Sequence, residues 1–224
     1  SFALTSIDNA PANSRESFAK AFAQNADFIA VDVVVSKDGV LMALPSPDIG
    51  ASTNVGEQNQ YANRKTTKQL DGIATNSWFA TDFTAAELQS LRLKPPTGSN
   101  VVIDANSFRV QSLPQVIAYA KQQNKTFGLY LQTRNPTFHA NQNLAMEDKL
   151  VAALQQAGYT TQSSAVVVRS REIGHLKTLR DKTKVRLVQI IPGATLAFDG
   201  SVQQASADDR PFDQTLAASP VTYA

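Results

Sequence analysis

The chain has 224 residues, of which 42% are hydrophobic and 18% charged, and a formal net charge of +2. This composition is typical of a folded domain with a sizeable core. It argues against a nucleic-acid partner, because phosphate binding needs clustered Lys and Arg and no long basic run is present. No apolar stretch approaches the roughly 20 residues of a membrane span, and the absence of cysteine excludes disulfides, thiolate metal sites and thiol nucleophiles.

Apolar runs alternate with amphipathic stretches in the first half of the chain, which predicts βα units. Ser14 is placed to cap a helix, and Lys37-Asp38-Gly39 is a turn signal that predicts a hairpin. The predicted elements are, in order, a strand at 2–7, a helix at 14–24, a buried strand at 27–35, a hairpin arm at 40–44 and a long, irregular polar loop at 45–83. A loop of that length in a compact domain is usually functional or disordered.

The second half continues the alternation. Thr84-Ala85-Ala86-Glu87 is a capping-box pattern, and Gly158 occupies the position that commonly ends a helix. The predicted elements are a helix at 84–91, a loop at 95–106, a helix at 113–123, a strand at 126–131, a helix at 145–157, a strand at 165–168, a helix at 172–181 and a strand at 185–191. About five strands alternating with helices predict an α/β fold, either a doubly wound sheet or a (β/α) barrel.

Several segments match one family in order and spacing. Residues 25–40, NADFIAVDVVVSKDGV, resemble the strand and turn of glycerophosphodiester phosphodiesterases, commonly written GADYIELDVxxTKDG. Shorter matches lie at 11–14 (PANS), 52–55 (STNV), 84–92 (TAAELQSLR), 112–116 (SLPQV), 128–136 (GLYLQTRNP) and 187–189 (LVQ). The resemblance implies a TIM-type (β/α) barrel over residues 1–193, incomplete at about five βα units, followed by an irregular tail at 194–224. It places the site at the C-terminal ends of the strands.

The resemblance also implies a chemistry. Active members cleave a glycerophosphodiester to glycerol 3-phosphate and an alcohol, using two histidines and a Ca²⁺ or Mg²⁺ ion held by strand-end carboxylates. This chain departs from that pattern at nearly every position. Residues 6–9 read Ser-Ile-Asp-Asn where the first histidine belongs, and the other replacements are Ala12 and Ala30 for glutamates, Pro45-Ser46 for a His-Asp pair, Gln132 for a glutamate and Arg134 for a lysine. Asp32 is the only retained candidate ligand.

The two histidines of the chain are elsewhere. His139 follows the third strand and could line the barrel mouth, whereas His175 lies in a predicted helix of the outer ring. The ordinary alternative for each is a surface or hydrogen-bonded histidine. Asp32 is either a leftover ligand or a strand-end carboxylate paired with backbone N–H groups or Arg134, and Arg134 either binds an anion or pairs with Asp32.

Two further pairs of residues allow more than one interpretation. Arg169 and Arg171 stand where the family has its strand-end QSF, and they could hold an acidic ligand or form a solvated charged pair. Trp78 and Phe79 in the long loop could be a docking patch, a lid over the cavity or ordinary core packing.

We therefore expect a non-catalytic relative of the phosphodiesterases that acts as a structural or interaction subunit. It would have no catalytic residues, no bound metal and no cofactor, and a vestigial pocket formed by Asp32, Pro45, Ser46, Gln132, Arg134 and His139. The alternatives are an active phosphodiesterase with an atypical Ca²⁺ or Mg²⁺ site, or a phosphate- or polyol-binding module.

An incomplete barrel bears on partners and location. A five-stranded parallel sheet cannot close, so a protein partner or self-assembly is expected at its open edge, and neither a nucleic acid nor a membrane span is expected. A surface poor in charge, together with a first residue that is serine rather than methionine, predicts an exported protein, in the periplasm, outside the cell or at its surface.

Overall fold

A computed structural model describes residues 10–98, 104 and 106–190, and the backbone of 194–196 and 202–204. The predicted strand at 2–7, including the position of the family's first histidine, lies outside the described residues. Most of the tail beyond residue 190 does so as well.

The described elements follow the predicted order closely. The helices are α1 (Arg15–Ala23), α2 (Ala85–Ser90), α3 (Leu113–Lys121), α4 (Pro136–Asn141), α5 (Glu147–Gln156) and α6 (Ile173–Lys182). The strands are β1 (Phe28–Val35), β2 (Leu41–Ala43), β3 (Thr66–Leu70), β4 (Ile73–Ser77), β5 (Gly128–Thr133), β6 (Val166–Ser170), β7 (Arg186–Gln189), β8 (Ala194–Leu196) and β9 (Val202–Gln204).

The central sheet has five strands in the order β2-β1-β5-β6-β7. Strands β1, β5, β6 and β7 pair in parallel, and β2 returns antiparallel to β1 as the predicted hairpin arm. Helices separate the parallel strands along the chain, as in a (β/α) barrel. The fold class is confirmed as an α/β, TIM-type arrangement, and among the described residues the sheet does not close.

The side chains of β1 alternate between the two faces of the sheet. Ile29, Val31 and Val33 pack in the larger core, between the sheet and the helices, together with Leu129 and Leu131 of β5. Because successive side chains of a strand point to opposite faces, the residues between them face the interior of the partial barrel. Asp32 is therefore directed away from the helices, toward the family's site.

The segment at 45–83 corrects the expectation of an irregular loop. It contains three 3-10 turns, Asn54–Glu57, Asn59–Arg64 and Ala80–Asp82, and the antiparallel hairpin β3–β4. The hairpin turns at Asp71-Gly72, where both residues have positive φ, a dipeptide typical of tight hairpins. Its strands are mostly exposed and polar, so they lack the alternation by which a half-buried strand is found in a sequence.

Trp78 and Phe79 belong to the packing of this segment. Phe79 is fully buried, and the Trp78 indole Nε1 donates a hydrogen bond of 2.8 Å to the carbonyl of Tyr61. Ordinary packing is the alternative that fits both residues, rather than a docking patch or a lid.

Two short elements were absent from the expectations. Helix α4 begins at Pro136, where proline is favoured because the first turn needs no N–H partner, but six residues are too few to show helical periodicity. Strands β8 and β9 pair within the tail that was expected to be irregular. They flank Asp199-Gly200, a hairpin signal in the sequence.

Candidate functional site

Three neighbouring strands place one polar residue each in a single row. Asp32 of β1 pairs in register with Gln132 of β5, and Gln132 pairs with Arg169 of β6. In-register neighbours point to the same face, so the three side chains line the barrel interior near the carboxyl ends of the strands. Arg134 lies two residues after Gln132, just beyond the end of β5, and reaches the same row.

Asp32 is held from two sides. The Asn13 side chain donates from Nδ2 to Oδ2 of Asp32 at 3.2 Å and accepts from the Asp32 backbone N–H at 2.8 Å. On the other side, Nη1 of Arg134 lies 3.8 Å from Oδ1 of Asp32, so the expected pairing of these two residues is present. Asn13 was not among the predicted site residues, although it lies within the matched segment PANS, where the resemblance also places an asparagine.

Burial dominates the electrostatics of Asp32, which is 7% exposed. Burial raises the pKa of this carboxyl above its ordinary value, although Arg134, the Asn13 hydrogen bond and Arg169 pull the pKa down. Arg134, Asn13 and Arg169, rather than water, therefore stabilise the charged form of Asp32.

The residues that the structure describes around Asp32 do not fit a divalent cation. Ca²⁺ takes about 6–8 oxygen ligands with several carboxylates among them, and Mg²⁺ needs a near-octahedral oxygen shell. Asp32 is the only carboxylate of the strand-end row, and Ala12 and Ala30 offer no side-chain oxygen. Among the described residues, no group of three or more His, Cys, Asp or Glu side chains is placed to hold a metal ion.

Pro45 and Ser46, which were predicted to line the vestigial pocket, follow Leu44 beyond the end of β2. The backbone N–H of Leu44 donates to the carbonyl of Asp32 at 3.1 Å, and because β2 runs antiparallel to β1 the chain after Leu44 continues toward the start of β1. The Ser46 hydroxyl accepts from the N–H of Asp48 at 3.2 Å, a turn contact. Pro45 has no titratable group, so neither side chain replaces a catalytic histidine.

His139 is buried in α4 and does not form an open part of the barrel mouth, which corrects that expectation. Its side chain is fully buried, packs edge-on against Phe138 at 5.4 Å, and makes no hydrogen bond through either ring nitrogen to the described residues. Burial, with a smaller contribution from the charge of Lys149, lowers its pKa to about 3. A neutral imidazole closed off from solvent cannot take up a proton from a substrate near neutral pH.

His175 is a hydrogen-bonded structural residue, as its ordinary alternative predicted. Its Nδ1 lies 2.7 Å from Oε1 of Glu147, so it connects α6 to α5 in the helical layer. It has no part in the strand-end row.

Of the two arginines expected at the end of β6, Arg169 belongs to the row by its register with Gln132. Its guanidinium stacks on the Tyr130 ring at 4.4 Å from the centroid, and its buried Nε has no hydrogen-bond partner among the described residues. Arg171 is exposed. The row therefore contains one carboxylate, one amide and two guanidinium groups.

A family model described as the glycerophosphoryl diester phosphodiesterase family matches residues 6–211. The chain belongs to this family. The family resemblance found in the sequence is thus confirmed.

Two relatives are between a quarter and a third identical to this chain over the aligned residues. Glycerophosphodiester phosphodiesterase GDPD6 of Arabidopsis thaliana is 29% identical over 154 residues, which are 66% of this chain and 41% of the relative. A glycerophosphodiester phosphodiesterase of Haemophilus influenzae is 25% identical over 202 residues, which are 81% of this chain and 53% of the relative. The chain thus spans about half the length of these relatives.

Solved structures of the family share the fold. The glycerophosphoryl diester phosphodiesterase domain of a Mycobacterium tuberculosis protein aligns with a TM-score of 0.56 at 16% identity, covering 84% of this chain and 58% of that one. An Oleispira antarctica phosphodiesterase, solved with the product sn-glycerol-3-phosphate, aligns with a TM-score of 0.57 at 16% identity, covering 81% and 60%. No helix among the described residues is long and apolar enough to cross a membrane.

Proposed function

We propose that this chain is a non-catalytic member of the phosphodiesterase family that serves as a structural or interaction subunit. The observation that carries the proposal is the strand-end row, where Asp32 is the single carboxylate and is already bonded to Asn13 and close to Arg134. Neither histidine offers a proton-transfer group there, because His139 is sealed from solvent and His175 is bonded to Glu147.

The size of the expected loss in catalytic rate supports the proposal. General acid–base catalysis contributes roughly 10²–10⁴-fold for each group, and a metal ion adds several kcal/mol of transition-state charge stabilisation. The row supplies no residue for either role, so we infer that the protein needs no cofactor and binds neither Ca²⁺ nor Mg²⁺.

The role of subunit includes a partner and a location. We infer that a protein partner or a second copy pairs at the open edge of the sheet beyond β7, because an unpaired edge presents free backbone donors and acceptors. We also infer that the protein is exported, which is supported by the 18% charged content of the chain.

The second candidate is an active glycerophosphodiester phosphodiesterase, favoured by the family match and by the names of the relatives. It would have to use Asp32, Gln132, Arg134 and His139 with a Ca²⁺ or Mg²⁺ ion. The row opposes this candidate because its net charge repels a cation.

A turnover assay separates the two candidates. Purified chain is incubated with glycerophosphocholine and Ca²⁺ or Mg²⁺, and released glycerol 3-phosphate is measured, with the Haemophilus influenzae relative as the positive control. We expect no release above the buffer blank. Release that scales with protein and disappears with EDTA would establish the second candidate.

A gain-of-ligand variant tests the missing carboxylates. Combining Ala30→Glu with Gln132→Glu returns two acidic residues to the row beside Asp32. We expect Ca²⁺ to raise the Tm of this variant and to leave that of the wild type unchanged, because binding to the folded state alone stabilises it. Ala30→Gln, which adds the same volume without charge, is the matched control, and a Ca²⁺-dependent Tm in the wild type would contradict the proposal.

A further inference from the structure

Two Asn-x-Thr triplets occur in the chain, and only one of them can accept an N-linked oligosaccharide. They are Asn124-Lys125-Thr126 and Asn135-Pro136-Thr137. The acceptor pattern is Asn-x-Ser or Asn-x-Thr in which x is any residue except proline, so Pro136 excludes the second triplet. No other asparagine of the chain is followed two residues later by serine or threonine.

The structure places Asn124 in an exposed turn. Residues 122–127 connect the end of α3 to the start of β5. Asn124, Lys125 and Thr126 are all exposed. An asparagine that carries an oligosaccharide has to lie in such a surface turn, because the bulky, hydrated sugar cannot enter a packed core.

The local hydrogen bonds leave both recognition side chains of the triplet free. The side-chain amide of Gln123 donates to the carbonyl of Tyr119 at 2.9 Å, and so helps to satisfy the last turn of α3. The side chains of Asn124 and Thr126 make no hydrogen bond to the described residues. A glycosyltransferase can therefore bind both side chains without breaking a contact of the fold.

Lys125 ties the middle of the triplet to the amino-terminal end of the sheet. Its Nζ lies 3.4 Å from Oδ1 of Asp27 and 5.4 Å from the centroid of the Phe127 ring. Asp27 directly precedes β1, and Phe127 directly precedes β5. Because a strand rises about 3.3 Å per residue, the length of β5, roughly 16 Å, separates this turn from the strand-end row. The turn and the row thus lie at opposite ends of the sheet.

We propose that Asn124 carries an N-linked oligosaccharide in the exported protein. In the transfer, Nδ2 of Asn124 forms a bond to the anomeric carbon of a lipid-linked oligosaccharide, the bond from that carbon to the lipid diphosphate breaks, and one amide proton is lost. Thr126 completes the pattern that the transferase recognises. The inference deepens the proposed export, on which it rests, and a hydrated glycan would keep this end of the sheet facing solvent.

Secretion from eukaryotic cells tests the site. The full chain is secreted from cultured human cells behind a cleavable signal peptide, and its peptides are mapped by mass spectrometry before and after treatment with peptide N-glycosidase. We expect a glycopeptide that contains Asn124, a faster-migrating band after treatment, and conversion of Asn124 to aspartate by the enzyme. Asn135 should stay unmodified, which gives a control with the same Asn-x-Thr spacing in the same molecule.

Substitutions assign the glycan to the triplet. Asn124→Gln removes the acceptor, and Thr126→Ala keeps the acceptor but removes the hydroxyl group, so we expect the glycopeptide and the mobility shift to be lost in both variants. Asn106→Gln is the matched control, because Asn106 is also exposed but lies outside the pattern, and its glycan at Asn124 should remain. All three positions are exposed, so we expect each variant to fold and to be secreted.

A secreted, folded wild type with an unmodified Asn124 would overturn the inference, and so would a mobility shift that survives in both Asn124→Gln and Thr126→Ala. An unmodified Asn124 would leave the proposed non-catalytic function intact. Turnover of glycerophosphocholine by the same secreted protein would contradict that function whether or not the glycan is present, so the two failures are distinguishable.

Discussion

His139 and His175 are the same residue type in opposite surroundings. His175 meets a carboxylate at 2.7 Å, whereas the ring of His139 packs against Phe138 with no hydrogen bond to the described residues. The sequence places both in helical or near-helical positions but contains no sign of which ring is bonded. For His175 that difference comes from Glu147, which lies 28 residues away in the chain, and for His139 it comes from burial within the fold.

The surroundings of His139 predict acid sensitivity. Its folded-state pKa of about 3 lies below the ordinary value of 6.5, so protons bind preferentially to the unfolded chain. The contribution of the neutral ring to the free energy of unfolding is fully present above pH 6.5. It is lost as the pH falls from 6.5 toward 3, at up to about 1.4 kcal/mol per pH unit. In His139→Leu this part of the loss should be missing, as measured by urea unfolding at several pH values.

The wild type and His139→Leu share every other titratable group, so the difference between their free energies of unfolding isolates the effect of His139. Above pH 7 the two stabilities should differ by a constant. Parallel stability curves from pH 7 down to pH 4 would show that His139 is not buried as described.

At the scale of elements, local capping signals account for three of the six helix starts among the described residues. Ser14, Thr84 and Ser112 each accept a hydrogen bond from the first turn of the helix that follows, and the last two form complete capping boxes. Helix α4 and the hairpin β3–β4 escaped prediction because their sequences are short or exposed on both sides. The contact between α5 and α6 through Glu147 and His175 is likewise invisible in a local window.

That contact predicts a measurable link between two helices. The hydrogen bond from His175 lowers the pKa of Glu147. This effect is larger than that of burial, which raises the pKa. His175→Leu leaves the carboxylate without this partner, so we expect a loss of about 1–3 kcal/mol in the free energy of unfolding. Asp148→Ala is the control, since its ion pair with Lys182 is exposed and should leave the unfolding midpoint unchanged. Equal effects of the two substitutions would contradict a structural role for His175.

At the scale of the whole molecule, the sheet ends at β7, with no further strand beside it among the described residues. The N–H of Ile190 donates to the Ser170 carbonyl at 2.8 Å, toward β6. Backbone N–H groups alternate in direction along a strand, so the N–H of Gln189 points to the open side. An edge of this kind is a template for pairing with another chain.

The open edge predicts association that a single proline can block. Gln189→Pro removes the outward N–H without touching the bonds to β6, and Gln189→Ala is the matched control that keeps the N–H. In sedimentation velocity over a range of concentrations, we expect the wild type and the alanine variant to associate and the proline variant to remain monomeric. Association that is identical in all three proteins would place the interface elsewhere, and a strictly monomeric wild type would leave a different protein as the partner.

The sequence by itself determined the α/β class, the family and most element bounds, and it predicted that acidic and imidazole groups are replaced at matched positions. These follow from local periodicity, capping residues and residue identity, each readable within a short window. Only the tertiary structure decided that Asn13 clamps Asp32, that His139 is sealed and that Arg169 joins Gln132 in one row. Those contacts join residues separated by a strand or more of chain, and burial, which sets both charge state and donor satisfaction, depends on all neighbours at once.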